Sequence, residues 1–126
     1  MKHIKMPKVL AEKWLHDLRS GEYKQGKGKL YKGGRYCCLG VLIKSAGCEV
    51  SEEVACDGSL ALPSLDWLTS RGITFMNSVG QGGRVTPFIS AASKAVDTLN
   101  DDGAPFSKIA DLLEEEIEYT DNPTTE

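Results

Sequence analysis

Apolar positions near the N-terminus recur with helical spacing. Leu10, Trp14 and Leu18 fall at i, i+4 and i+8, and Val9 and Leu15 widen that stripe. Pro7 suits a first helical turn, where its missing N–H costs nothing, and Ser20-Gly21 is a stop. The spacing predicts a helix over about 7–19, with His16 off its apolar line. Residues 22–36 hold too much glycine for a helix. Leu30-Tyr31 and Arg35-Tyr36-Cys37 flank Lys32-Gly33-Gly34, which predicts a short hairpin around a Gly-Gly turn. From Leu39 to Ala46 the chain is almost continuously apolar and then meets Gly47, a natural residue beyond a helix end, so a short buried helix is predicted.

Residues 48–62 lack a period and predict a loop with one short strand near Leu60. Pro63 to Gly72 predicts a short helix closed by glycine, and Ile73 to Val79 a strand ending in the Gly80-Gln81-Gly82-Gly83 turn. Arg84-Val85 is placed to pair back. Thr86-Pro87 then resembles an N-cap and first position, predicting a helix over 87–100 with Phe88, Ala92, Val96 and Leu99 on one face. Asn100 to Gly103 is a turn, and residues 105–118 predict a last helix with Phe106, Ile109, Leu112, Leu113 and Ile117 on its buried stripe. Glu114, Glu115, Glu116 and Glu118 form its solvated face. The expectation is an α+β fold, about four helices around a small antiparallel sheet. One domain covers 1–120, and 121–126 is a disordered polar tail.

At 126 residues, 40% hydrophobic and 26% charged, the chain can bury a core without staples. No apolar run reaches a membrane span and no secretory signal is present, so a cytoplasmic protein is expected. Cys37, Cys38, Cys48 and Cys56 lack paired zinc spacing and read as small buried side chains, with neither cofactor nor metal expected. The net charge of −3 hides a polarised chain: residues 1–36 carry ten Lys or Arg against three Asp or Glu, and the remainder five against fifteen. Such a distribution can offer an anion-binding face, or can neutralise itself by packing the basic part near the acidic last helix. A net negative chain whose last helix carries Lys108 and a glutamate run makes nucleic acid an improbable partner.

The candidate chemistry lies between Ser20 and Val41. Gly26-Lys27-Gly28 fits neither the P-loop nor the dinucleotide fingerprint. Glycine N–H groups beside Lys24, Lys27, Lys29 and Arg35 can nonetheless cradle an anion, and Tyr23, Tyr31 and Tyr36 can stack on a base. Cys37 or Cys38 at a helix start, with Gln25 upstream for an oxyanion, raises a cysteine-hydrolase reading similar to papain-like and NlpC/P60-type peptidases. That chemistry needs a downstream histidine base, and the only histidines are His3 and His16.

Two stretches resemble a family of small proteins of tailed bacteriophages and prophages. One is Trp14-Leu15 with Leu18-Arg19-Ser20-Gly21-Glu22-Tyr23-Lys24-Gln25-Gly26 and Tyr36-Cys37-Cys38-Leu39-Gly40-Val41-Leu42; the other is Thr98-Leu99-Asn100-Asp101 with Gly103, Phe106, Ile109-Ala110-Asp111-Leu112 and Glu114. The resemblance implies a phage accessory protein acting in the host cytoplasm by binding. Its expected ligand is an anionic small molecule such as a cyclic or ADP-ribose-derived nucleotide signal of host immunity. Tyr23, Lys24, Gln25, Lys27, Arg35 and Tyr36 would form the site, and Asn100 and Asp101 would close it on a ribose. The alternatives are a module that inhibits a host enzyme and, third, the hydrolase. The oligomeric state stays open, a homo-oligomer included.

Overall fold

The computed structural model describes residues 2–48, 62–81 and 83–120. The expected loop and strand at 48–62, Cys56 and the tail at 121–126 fall outside them, save for Cys48 and Leu62. The described chain is mixed α and β, with five α-helices and three small sheets.

Strand β1 (Ile4–Pro7) leads directly into helix α1 (Lys8–Ser20). Pro7 therefore ends the strand and caps the helix, one residue before its predicted role. Helix α1 buries Ala11, Trp14, Leu15, Asp17 and Leu18. Val9, assigned to the stripe, is instead 61% exposed. Three two-residue strands follow: β2 (Lys24–Gln25), β3 (Tyr31–Lys32) and β4 (Arg35–Tyr36). The predicted hairpin forms, with Gly33 at φ 60 and Gly34 at φ 83, the left-handed pair that a tight two-residue turn requires. Strand β2 adds parallel to β4, pairing Lys24 with Arg35 and Gln25 with Tyr36.

Helix α2 (Cys38–Ser45) is buried on nearly every side, as its unbroken apolar run implies. Gly40 lies within it because the chain at Leu30 crosses there: a Cβ on Gly40 would run into the Leu30 carbonyl. The indole Nε1 of fully buried Trp14 donates to the Cys38 carbonyl at 3.0 Å, locking α1 to α2. Helix α3 (Leu65–Ser70) is capped by Ser64, whose hydroxyl accepts from the Trp67 N–H at 3.0 Å.

The predicted strand 73–79 is in fact two. Strand β5 (Thr74–Phe75) pairs antiparallel with β1, and β6 (Ser78–Gln81) pairs antiparallel with β7 (Arg84–Ile89). This corrects the helix expected over 87–100. Pro87 lies inside β7 opposite Ser78, and Val85, Thr86 and Ile89 have the branched side chains a strand favours. A single 3₁₀ turn at Ser90–Ala92 and strand β8 (Lys94–Ala95) precede the real helix, α4 (Val96–Asp101). The last helix, α5 (Phe106–Glu116), ends where Ile117 turns to extended backbone and begins β9 (Ile117–Thr120).

Strand β9 pairs parallel with β1, Ile4 opposite Ile117 through Pro7 opposite Thr120, so this sheet, like that of β2, β3 and β4, is mixed, and only the sheet of β6, β7 and β8 is purely antiparallel. Glu116, expected on a solvated face, is buried, and the His3 Nδ1 lies 2.9 Å from its Oε1. The core centres on α1, which packs against α2 and α5. No helix among the described residues is long and apolar enough to cross a membrane.

Candidate functional site

The glycine-rich segment reaches α4 through one buried amide. Asn100 is fully buried and fully used. Its Oδ1 accepts from Gln25 Nε2 at 3.0 Å and from the Cys38 backbone N–H at 3.2 Å; its Nδ2 donates to the Gly26 carbonyl at 2.7 Å and, at 3.4 Å, to Asp101 Oδ1. A primary amide has two donor hydrogens and two acceptor lone pairs, so this group has no capacity left for a ligand. Gln25 also donates to the Ala104 carbonyl at 2.7 Å. Next along, the Asp101 carboxylate accepts the Gly28 N–H at 2.9 Å. The glycines have local reasons: a Cβ on Gly26, whose N–H donates to the Tyr36 carbonyl at 2.7 Å, would press on Arg35, and Gly28 has a left-handed φ of 80.

The expected site residues therefore fall into two groups. Gln25, Asn100 and Asp101 do come together, but as a seam that positions the segment. Lys24, Lys27 and Arg35 stand exposed around it, together with Lys29 and Lys32. Among the described residues none of these five cations forms an ion pair, and Arg35 donates only to the Gln25 carbonyl at 3.3 Å. Cations elsewhere behave differently. Arg19 bridges Asp111 and Glu114 at 2.7 Å each, which realises the packing of basic α1 against acidic α5, and Lys94 meets Asp102 at 2.6 Å.

The tyrosines are occupied with one another. Tyr36 meets Tyr23 edge-on at 5.2 Å between ring centroids and Tyr31 at 4.9 Å. All three are half-buried against the core, where such contacts pin the short strands.

Cys37 caps α2 and Cys38 opens it, yet a helix start does not make either thiol acidic. Burial pushes the Cys37 thiol up to about 11 and Cys38 well above its ordinary range. Cys38 Sγ lies 3.8 Å from the Val96 carbonyl. His3 is engaged with Glu116, and His16 is exposed on α1. The hydrolase reading thus lacks both a thiolate and a base.

Where Gly28 and Lys29 pass α4, a shallow depression of about 10 Å³ is lined by Gly28, Lys29, Cys37, Asp97 and Asp101. That is room for about one water-sized group. Asp97 was not singled out by sequence reasoning; its i,i+4 relation to Asp101 was the available signal, obscured by the overlong predicted helix. Burial raises the Asp97 carboxyl above its ordinary value, and the nearby Thr86 hydroxyl offsets this only in part. Asp97 Oδ1 and Thr86 Oγ1 are both closed to solvent, so the hydroxyl and the carboxylate are left to each other. Among the described residues, no group of three or more His, Cys, Asp or Glu could hold a metal ion.

Residues 6–117 match the family described as a domain of unknown function, DUF8296. The chain belongs to that family. The matched stretch runs from within β1 to the first residue of β9 and so contains the whole seam, the cationic segment and the depression. No curated protein and no solved structure matches the chain.

Proposed function

We propose that this DUF8296 member is a phage accessory protein that works by binding, and that the cationic segment 24–35 receives an anionic small molecule without catalysis. The observation that carries the reading is the exposure of Lys24, Lys27, Lys29, Lys32 and Arg35 with no ion pair among the described residues. Five like charges on one short segment repel one another, and a bound anion relieves that cost. The seam through Gln25, Asn100 and Asp101 supports the reading in a second way, since a fixed backbone lowers the entropy lost on binding. A phosphate group is the matching chemistry, and the resemblance to phage proteins makes a nucleotide signal of host immunity the ligand class, bound as a counter-defence measure.

A second reading is favoured by the shape of the same face. A depression of about 10 Å³ cannot enclose a nucleotide, because pockets that bury such ligands span roughly 300–1,000 Å³. An open cationic face also suits an acidic patch on a host enzyme that the protein would inhibit.

Thermal-shift titration with cyclic dinucleotides, cyclic trinucleotides and cyclic ADP-ribose isomers separates the two. A bound nucleotide raises the unfolding midpoint by mass action, worth about 2.7 kcal/mol at a hundredfold excess over Kd. Charge reversal at Lys27 and Arg35 should abolish the shift. No shift with any nucleotide, together with capture of one host protein that the same reversal abolishes, replaces the first reading with the second. Capture that survives the reversal rejects the cationic face altogether.

A further inference from the structure

We propose that Lys24, Arg35 and Lys32 form one row that holds two or more neighbouring phosphates of a small molecule, so that the ligand is recognised by its phosphates and not by a base or sugar. The inference rests on the anion-binding reading above and narrows it.

The row follows from sheet register. Strand β4 lies between β2 and β3, and Arg35 pairs with Lys24 on one side and with Lys32 on the other. Directly paired residues on neighbouring strands project to the same face. The outer face therefore carries three exposed cations abreast, and the inner face carries half-buried Gln25, Tyr36 and Tyr31. Strands lie about 4.8 Å apart, so the row is about 10 Å wide. Like charges set directly opposite each other weaken a sheet, and here two such pairs share Arg35. Strands of two residues have little pairing of their own to offset that repulsion. The seam holds β2 in place instead: Gln25, next to Lys24, donates to Asn100 at 3.0 Å and to the Ala104 carbonyl at 2.7 Å. The fold thus uses its part-buried hydrogen bonds to keep three cations side by side.

Charge and shape then set the ligand. Lys24 and Lys32 make no ion pair among the described residues, and Arg35 uses one of its five N–H donors, on the Gln25 carbonyl at 3.3 Å. One phosphate carries about −1.5 to −2 charge at pH 7, too little to neutralise the row, and a second supplies the match. Lys27 and Lys29, on the connection from β2 to β3, add to the same field. The chain as a whole is net negative, at −3, so the attraction is local to this face. The depression beside Lys29, of about 10 Å³, admits neither base nor sugar. Tyr31 and Tyr36 lie on the inner face, turned away from anything the cations hold. Phosphate is the part of a ligand that this surface reads.

Calorimetric titration in metal-free buffer with inorganic phosphate, pyrophosphate, tripolyphosphate, AMP, ATP and cyclic di-AMP tests this. Affinity should rise about tenfold or more from phosphate to tripolyphosphate, the size of one added charged hydrogen bond, and ATP should match tripolyphosphate within about threefold. Tripolyphosphate against cyclic di-AMP tells a linear phosphate chain from a phosphodiester ring as the source. Lys32→Gln should weaken tripolyphosphate about tenfold, whereas Lys108→Gln, the same change of charge at an exposed position of α5, should leave it unchanged. No loss at Lys32, or equal losses in both variants, overturns the row. So does the absence of any gain from phosphate to tripolyphosphate, whatever cyclic di-AMP does, a comparison on wild-type protein that needs no variant to fold. Tighter binding of AMP or ATP than of tripolyphosphate also overturns it, because a base or sugar then decides. In each of those cases the anion-binding reading stands without the row. Failure of every probe removes both.

Discussion

The side-chain amide of Gln25 donates to Oδ1 of Asn100 at 3.0 Å, across 75 residues of sequence. The bond joins strand β2 to helix α4 and makes Asn100 the fixed point of the cationic segment. Asn100→Ala would strand the Cys38 N–H and the Gly26 carbonyl in a buried place. We expect a loss of about 3 kcal/mol in chemical denaturation, against about 1 kcal/mol for half-buried Gln25→Ala. The two share one acceptor, so their effects should not add. An additive double variant would show that the network does not act as a unit.

The cysteines give a reactivity prediction. With its pKa pushed from 9.0 to about 11, the Cys37 thiol at pH 8 has about a hundredth of the ordinary thiolate. Site-resolved alkylation should therefore label half-exposed Cys48, which accepts a hydrogen bond from Arg71 at 2.8 Å, well before Cys37 or Cys38. The same shift has a sign in stability. A folded-state thiol pKa above the unfolded one contributes stability that is complete below about 9 and is lost as pH rises through about 11. Rapid native labelling of Cys37 at pH 8 would contradict the burial described.

How much of this was legible in the sequence follows from where the deciding contacts lie. Helices α1, α2 and α3 and the Gly33-Gly34 turn are local: apolar spacing, a cap or a glycine decides each, and the sequence reading places them within about two residues. Strands β1, β5 and β9 are two to four residues long and exist only through one another, Ile4 between Phe75 and Ile117. No periodicity can appear in so few residues. The helix expected over 87–100 failed for the same reason, because pairing with Ser78–Gln81 outweighs the helix-start signal of Thr86-Pro87. At the site, the meeting of Gln25 with Asn100 and Asp101 was expected. Their role as a seam was not, since hydrogen-bond occupancy is a property of the folded chain alone.

Gly40 should invert the usual rule for helices. Gly→Ala within a helix ordinarily gains about 1 kcal/mol. Here the new Cβ meets the Leu30 carbonyl, a backbone atom that cannot move aside as a side chain does. Gly40→Ala is expected to cost about 2 kcal/mol or more, and Leu30→Ala should not rescue it, because the clash is with backbone. Rescue in the double variant would place the obstruction in the Leu30 side chain instead.

Two acidic contacts of α1 should differ in worth. Buried Asp17 accepts from Ser45 Oγ at 2.8 Å and Lys13 Nζ at 3.1 Å, so Asp17→Ala leaves a buried hydroxyl unpaired and should cost about 2 kcal/mol. Arg19 meets Asp111 and Glu114 on the surface, where side-chain entropy and screening offset attraction. Arg19→Ala should cost less than about 1 kcal/mol and fade further in 1 M salt. Equal losses would mean that Asp17 is reached by water.

Asp97 yields the last prediction, through pH. Burial raises its folded-state pKa above the unfolded value, so the folded protein holds the proton more tightly than the unfolded chain does. The linked contribution is fully present below the unfolded pKa and is lost as pH rises through the folded one, leaving at neutral pH a half-buried carboxylate whose desolvation the Thr86 hydroxyl offsets only in part. Asp97→Asn removes that ionisation. It should raise the unfolding midpoint at pH 7, and the gain should shrink towards zero as pH falls and the native carboxyl becomes protonated. A midpoint lowered at pH 7 would mean that the hydrogen bonds from the Thr86 hydroxyl and the Thr98 backbone N–H outweigh the cost of burying the charge.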